Sequence, residues 1–200
     1  MSLRGAYTLW APIYDVLLAR GTHALRAHSL VRLGAERERD ISLLGIGTGL
    51  DLPHLPPGNR YLGVDLTPAM LARARQRAKQ LNLPITLQVG DVQHLDLSDA
   101  SFDTVVMHLI LAVVPDPVAC LREAARIARP GAHLLILDKF LRPGHPAPLR
   151  RLINPLMRRL ATRTDVVFEN ILADTPNLRM LEDRPVAAGG WFREITLERT

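Results

Sequence analysis

Residues 41–71 read ISLLGIGTGLDLPHLPPGNRYLGVDLTPAML, and the rest of the chain is arranged around them. Ile41 to Ile46 is a short apolar run of the kind found in a fully buried strand. Gly45, Gly47 and Gly49 follow at every second position, where they let the chain turn tightly and come close to a ligand. A short helical piece and the turn Pro56-Pro57-Gly58 lead into a second apolar strand, Tyr61 to Val64, which ends in Asp65. Strand, glycine-rich turn, helix, strand and acid together make a nucleotide-binding βαβ unit. Asp65 stands 20 positions after Gly45, where it is placed to accept hydrogen bonds from ribose hydroxyls.

The kind of nucleotide follows from what the turn lacks. A pyrophosphate needs the backbone N–H groups of the following helix at close range, yet Leu50 stands where a dinucleotide fold has its third glycine. A third strand, Ile85 to Val89, is closed by Gly90 and Asp91. An acid there can accept from an exocyclic amine such as adenine N6, with Val92 covering the ring and Leu66 a candidate to pack on it; ordinary core packing is an equal alternative for Leu66. Two strand-end carboxylates without a phosphate anchor suit an adenosine ligand that carries no phosphates. The same features, Leu50 and Asp91, disfavour a dehydrogenase.

The remaining elements fall in order. Thr67 and Pro68 read as the N-cap and first position of a helix running to about Gln80. Phe102 to Met107 is a fourth strand, and His108 follows its C-terminal end, where open α/β sheets place their ligands. His108 is a candidate to orient an acceptor or take a proton, although a residue at this place in such a fold more often packs beneath the cofactor. Leu109, Ile110, Leu111, Val113 and Val114 make the acceptor side apolar, which favours a lipid or quinone over a polar metabolite. Pro115-Asp116-Pro117 opens a helix through Ala128, Pro130-Gly131 turns into a fifth strand from His133 to Asp138, and strands near Leu178 to Arg184 and Phe192 to Glu198 close the chain across Gly189-Gly190.

The glycine motif, VDLTPAMLARAR, VGDVQHL, FDTVV and REAARIARPGAHLLILD together resemble the Rossmann-like, S-adenosylmethionine-dependent methyltransferases, from about Tyr7 to the C-terminus. YxxWAPxYD, GTGLDLPH and VVPDP resemble its phosphatidylethanolamine N-methyltransferase and ubiquinone/menaquinone branch. The resemblance implies an α/β fold: a doubly wound, mostly parallel seven-stranded sheet with an antiparallel last strand and helices on both faces. It implies S-adenosylmethionine as cofactor and S-adenosylhomocysteine as product, with Gly45, Gly47, Gly49, Asp65, Leu66, Asp91, Val92 and His108 around them. It also implies an N-terminal helix that caps the pocket and brings Tyr7 and Tyr14 near the reacting methyl group, where aromatic faces can stabilise a methylated, cationic nitrogen. One departure stands out. Family members usually carry an acid two residues before the first glycine, facing the cofactor's amino-acid part; this chain has Leu43.

Composition bounds the rest. The chain has 200 residues, 48% hydrophobic and 22% charged, the content of a soluble globular domain. A single domain is expected, with cap helices at 1–36, a cofactor-binding core at 37–139, a basic helical cover at 140–175 and closing strands at 176–200. The single cysteine, Cys120, excludes an internal disulfide framework and suits a cytoplasmic setting; its place in an Ala-rich helix reads as core. Arg4 to Trp10 is not followed by a long apolar stretch, so no cleavable signal peptide is expected. Seven scattered histidines, without CxxC or HExxH spacing, give no metal site.

The net charge is +5, and it is unevenly spread. Between Lys139 and Arg163 stand Lys139, Arg142, Arg150, Arg151, Arg158, Arg159 and Arg163, with no acid among them. Apolar residues from Leu149 to Leu160 face one way between the arginine pairs, the pattern of a helix lying on an anionic membrane surface or of a cover over the site. Residues 149–163 are therefore the expected peripheral contact with the inner membrane surface. Nucleic acid is disfavoured because the segment lacks aromatic residues on which bases stack. The stretch from Thr22 to Leu33, THALRAHSLVRL, reads as an amphipathic, basic helix, and is expected to pack on the sheet edge with a solvated basic face or to lie on the bilayer. Three readings follow: methylation of the amine of phosphatidylethanolamine, methylation of carbon or oxygen on a quinone or similar molecule, and a non-catalytic nucleotide- or membrane-binding protein of the same fold.

Overall fold

The structure is a computed structural model and describes residues 21–34, 37–141 and 166–200. Helix α1 covers residues 21–30. The strands are β1 (Asp40–Leu44), β2 (Arg60–Asp65), β3 (Thr86–Val89), β4 (Phe102–His108), β5 (Ala128–Lys139), β6 (Leu178–Ala187) and β7 (Phe192–Arg199). Three further helices are α2 (Pro68–Gln80), α3 (Pro117–Ile127) and α4 (Phe168–Ala173).

One seven-stranded sheet has the order β3-β2-β1-β4-β5-β7-β6. The first five strands are parallel neighbours, and β7 runs antiparallel between β5 and β6. The order reverses between β1 and β4, so the connections that leave the C-terminal ends of these adjacent strands run in opposite directions and leave a crevice there. This is the expected fold class.

Side chains along the central strands alternate between two cores. Ile41, Leu43, Val106 and Leu135 face a layer closed by Leu30, Leu33, Leu71 and Ala78 of the N-terminal helical turns and α2. Leu44, Val105, Leu134 and Ile136 face the other layer, closed by Cys120, Leu121 and Ala124 of α3 and by Phe168 and Ile171 of α4. Burial on both faces explains why β1, β4 and β5 read as continuous apolar runs. Helix α3 begins where Asp116 caps it, accepting from the Ala119 N–H at 3.0 Å, with Pro117 at its first turn. Helix α4 falls within the segment 140–175 expected to be helical, though its own bounds were not read from the sequence; it is seated by Phe168, whose ring lies 5.0 Å from that of Phe140.

Helix α1 corrects one expectation. Among the basic residues of α1 and the turn after it, Arg26 is buried, while Arg32 and the half-exposed His28 pair with acids of the sheet. Arg32 donates to Glu194 at 3.0 Å, to Glu182 at 2.5 Å and to Thr196 at 2.9 Å, and His28 meets Glu194 at 2.9 Å. The acids of β6 and β7 draw the helix across the sheet, while Leu30 and the following Leu33 bury their side chains beneath it. The basic segment from Arg142 to Arg163, with Arg150, Arg151, Arg158 and Arg159, lies outside the described residues.

Candidate functional site

The C-terminal ends of β1 to β4 surround a cavity of about 180 Å³. Its floor is the turn after β1. Gly45 and Ile46 donate their backbone N–H groups to the Val64 carbonyl at 2.8 and 3.1 Å, which binds the turn to the end of β2. Gly45 and Gly47 have φ of 70° and 55°, left-handed backbone that suits glycine. A Cβ on Gly45 would lie 2.5 Å from Ile110 Cδ1, whereas a Cβ on Gly47 would meet nothing within 4 Å. The open space beside Gly47 is the cavity itself. Gly49 serves another purpose: a Cβ there would lie 2.7 Å from Leu52 Cδ1 and 3.3 Å from the Ala74 Cα, so it lets the turn seat against α2 and does not line the cavity.

Two acids stand at the strand ends. Asp65 accepts from the Gly47 N–H at 2.9 Å and from the Thr67 N–H at 2.8 Å, so the second strand end holds the glycine turn and the start of α2 together. Burial pushes its carboxyl above the ordinary aspartate value, against the lowering effect of those two N–H groups. Asp91 accepts from the backbone and side-chain nitrogens of Gln93, both at 2.9 Å. Gln93 in turn accepts from the Asp116 N–H at 2.8 Å, which ties the third strand end to the cap of α3. Leu66, Met70 and Val92 supply apolar wall between the two acids.

The opposite wall is made by the loop after β4. Leu109, Ile110, Val113 and Val114 line it. Its shape is set from beneath by the buried Asp138, which accepts from the Ala112 N–H at 3.0 Å. Leu109 has φ 58°, an uncommon conformation for a leucine and a form of backbone strain that collects at functional sites.

His108 joins this wall to α1. Its Nδ1 meets Asp51 Oδ1 at 2.7 Å and its Nε2 meets Ser29 Oγ at 3.0 Å. The other oxygen of Asp51 accepts from Arg26 Nη1 at 2.7 Å. Asp51 is fully enclosed; burial alone would raise its carboxyl, but the charges of Arg26 and His108 and their hydrogen bonds hold it well below the usual carboxylate range. The series Ser29–His108–Asp51 has the order of a hydrolytic triad. Ser29 is 0% exposed and does not line the cavity, so its hydroxyl has no route to a substrate. Both ring nitrogens of His108 are already engaged by protein groups, and what the ring offers the cavity is a wall.

Of the residues the sequence singled out, Gly45, Gly47, Asp65, Leu66, Asp91, Val92 and His108 line one cavity. Tyr7 and Tyr14 lie outside the described residues. Sequence reasoning missed Arg26, Ser29 and Asp51. Asp51 follows the glycine turn and was open to notice, but nothing local marks Arg26 or Ser29. Among the described residues no cluster of His, Cys, Asp or Glu is arranged to hold a metal ion.

The family described as "Methyltransferase domain" matches residues 43–136, the span from β1 to β5. Over 197 residues the chain is 32% identical to a phosphatidylethanolamine N-methyltransferase of Cereibacter sphaeroides, covering 97% of this chain and 96% of that protein. The chain belongs to the S-adenosylmethionine-dependent methyltransferases. This methyltransferase is also 35% identical, over 72% of its own length and 66% of the other, to a 2-phytyl-1,4-naphtoquinone methyltransferase of Synechococcus elongatus. Its fold matches that of a putative methyltransferase solved in complex with the Trm112 activator of Haloferax volcanii, with a TM-score of 0.79, 20% identity and 99% of each chain covered. S-adenosylmethionine is the cofactor. The cavity fits its adenosine: two carboxylates at strand ends, apolar wall between them, and a glycine turn whose open side only a ligand would fill.

Proposed function

We propose that this methyltransferase transfers the methyl group of S-adenosylmethionine to the amine of phosphatidylethanolamine. The observation that carries the reading is the 32% identity, end to end in both chains, with a phosphatidylethanolamine N-methyltransferase. In this reading Asp65 accepts from the ribose hydroxyls and Asp91 from the adenine amine, with Leu66 and Val92 on the ring faces and Gly45 and Gly47 giving the ligand close backbone.

Methyl transfer from a sulfonium is an in-line displacement at a carbon with a good leaving group, so the protein's task is to align acceptor and methyl group. Orientation of this kind supplies up to about 7–11 kcal/mol of a barrier. An amine acceptor must arrive without its extra proton, because an ammonium has no lone pair. The apolar wall of Leu109, Ile110, Val113 and Val114 disfavours the charged form and so lowers an amine's pKa. Tyr7 and Tyr14 are proposed to face the cationic product, a contribution of about 0.5–2 kcal/mol. Residues 149–163 are proposed as the contact with the anionic inner membrane surface, which makes the protein a peripheral one. Among the described residues no helix is long and apolar enough to cross a membrane.

A second reading is methylation of a quinone, favoured by the likeness to the naphtoquinone methyltransferase. A carbon acceptor needs a base, and the nitrogens of His108, the residue nearest that task, are held by Asp51 and Ser29. The amine needs no such residue, which is why the lipid reading is preferred.

The test uses cofactor with a labelled methyl group and vesicles of phosphatidylethanolamine in phosphatidylglycerol. Label in mono-, di- and trimethylated head groups is expected. Label confined to added naphthoquinol, with none in the lipid, would overturn the reading in favour of the second. Replacing both tyrosines by alanine is expected to lower turnover, and unchanged turnover would remove them from the mechanism.

A further inference from the structure

We propose that Arg26 is the anchor for the carboxylate at the amino-acid end of the cofactor, supplying from α1 the polar recognition that Leu43 does not. The inference rests on the cofactor assignment and is independent of the acceptor. Leu43, at the position where the resemblance leads one to expect an acid, is 1% exposed, packs in the core with Leu30 and Ile46, and does not line the cavity. No charge reaches the ligand from there.

Arg26 does line the cavity, beside Gly45, Gly47 and Thr48, on a side chain only 8% exposed. Its Nε donates to Thr22 Oγ1 at 3.1 Å and its Nη1 to Asp51 Oδ2 at 2.7 Å. Its Nη2 has no hydrogen-bond partner among the described residues. A guanidinium is a planar fork with five N–H donors, and a buried one with an idle arm is built for one more acceptor. Asp51 balances the charge and fixes the fork's plane, and His108 fixes Asp51.

The chemistry of the cavity says which anion. Asp65 and Asp91 stand at its other strand ends and oppose a phosphate, and one guanidinium arm suits a singly charged carboxylate. The amino-acid end of the cofactor carries such a group, together with an ammonium that keeps the pair's net charge near zero. Placed on α1, the anchor also makes cofactor binding depend on that helix being seated, a coupling that an acid on β1 would not give.

The test compares S-adenosylhomocysteine, its decarboxylated counterpart and 5′-methylthioadenosine by calorimetric titration of the full chain. Wild-type protein is expected to prefer S-adenosylhomocysteine over the decarboxylated ligand by about 10- to 100-fold, the size of one charge-assisted interaction. Because Arg26→Met alone leaves the buried Asp51 with His108 as its one remaining partner of the two described, the variant to use is Arg26→Met with Asp51→Asn, which removes both charges. It is expected to lose the preference while binding 5′-methylthioadenosine as wild type does. A wild-type protein that does not discriminate, or a folded double variant that keeps the full preference, would overturn the inference. If none of the three ligands binds the wild type, the cofactor assignment falls and the inference with it. Should circular dichroism show the double variant unfolded, a crystal structure of the wild-type complex decides: a carboxylate on the Arg26 guanidinium supports the anchor, and one held elsewhere refutes it.

Discussion

The two ends of the cavity are built by different means. At the adenosine end, the glycine turn, Asp65 and Asp91 come from consecutive βαβ units, and Asp65 bonds to Gly47 and Thr67, 18 and 2 positions away. At the α1 end, Arg26 reaches Asp51 across 25 positions, His108 reaches Ser29 across 79, and Arg32 reaches Glu194 across 162. One end is backbone shaped by local sequence; the other is charge paired over distance. The two acids carry the contrast in their titration. Burial raises Asp65, whereas Arg26 and His108 outweigh burial at Asp51 and lower it.

Removing Asp51 should break the α1 end hardest. Asp51→Ala strands the Arg26 guanidinium and the His108 ring in a closed site, and loss of one partner of a buried pair costs about 3–5 kcal/mol. Urea denaturation followed by circular dichroism would read this as a lower midpoint with unchanged slope. Asp51→Asn with Arg26→Met, neutral on both sides, should recover a good part of the loss.

Breaking the adenosine end should cost less stability and more binding. Gly45→Ala combines left-handed strain of about 1–2 kcal/mol with a clash against Ile110. Gly47→Ala carries similar strain but no clash, and its methyl group enters the cavity. Thermal melts should therefore place Gly45→Ala below Gly47→Ala, while titration with S-adenosylhomocysteine shows both weakened. Equal melting temperatures would mean that Ile110 gives way.

Acid titration sharpens the comparison of the two carboxylates. A group lowered on folding gives stability that is complete above the ordinary aspartate value and fades as pH falls below it, toward its depressed folded value; Asp51 is of this kind. A group raised on folding costs stability as pH rises from the ordinary aspartate value to its elevated folded one; Asp65 is of this kind. Denaturation midpoints measured from pH 3 to pH 6 should fall more gently at the acid end in Arg26→Met/Asp51→Asn than in wild type. The smallest effect is expected at Cys120, fully buried, whose thiol burial pushes well above its usual range. A soluble thiol reagent should not label it until the protein is unfolded.

How much of this the sequence disclosed follows the same division. The succession of strands along the chain, the glycine turn and both strand-end acids were legible, because each rests on neighbours or on the two-faced burial of β1, β4 and β5. Gly49 was legible as a turn and misread in purpose, since its constraint comes from the Ala74 backbone on a later helix. His28 and Arg32 read as a solvated face because the acids that claim them, Glu182 and Glu194, are on β6 and β7. No local pattern connects Arg26 with Asp51, and Ser29 in a helix looks like any other serine. Leu43 was visible as a missing charge, but where a charge had been placed instead required the fold.

The insertion of β7 between β5 and β6 has a consequence for the protein's birth. A chain leaves the ribosome N-terminus first. Helix α1 and the turn after it are therefore made before Glu194, the acid that Arg32 meets 162 positions further along the chain. Until then the sheet lacks the strand that joins β5 to β6, and Arg32 and His28 wait for their acid. The nascent protein carries its glycine turn and strand-end acids long before the helix that completes the pocket is fastened. The pocket should be completed only once β7 has paired with β5 and β6.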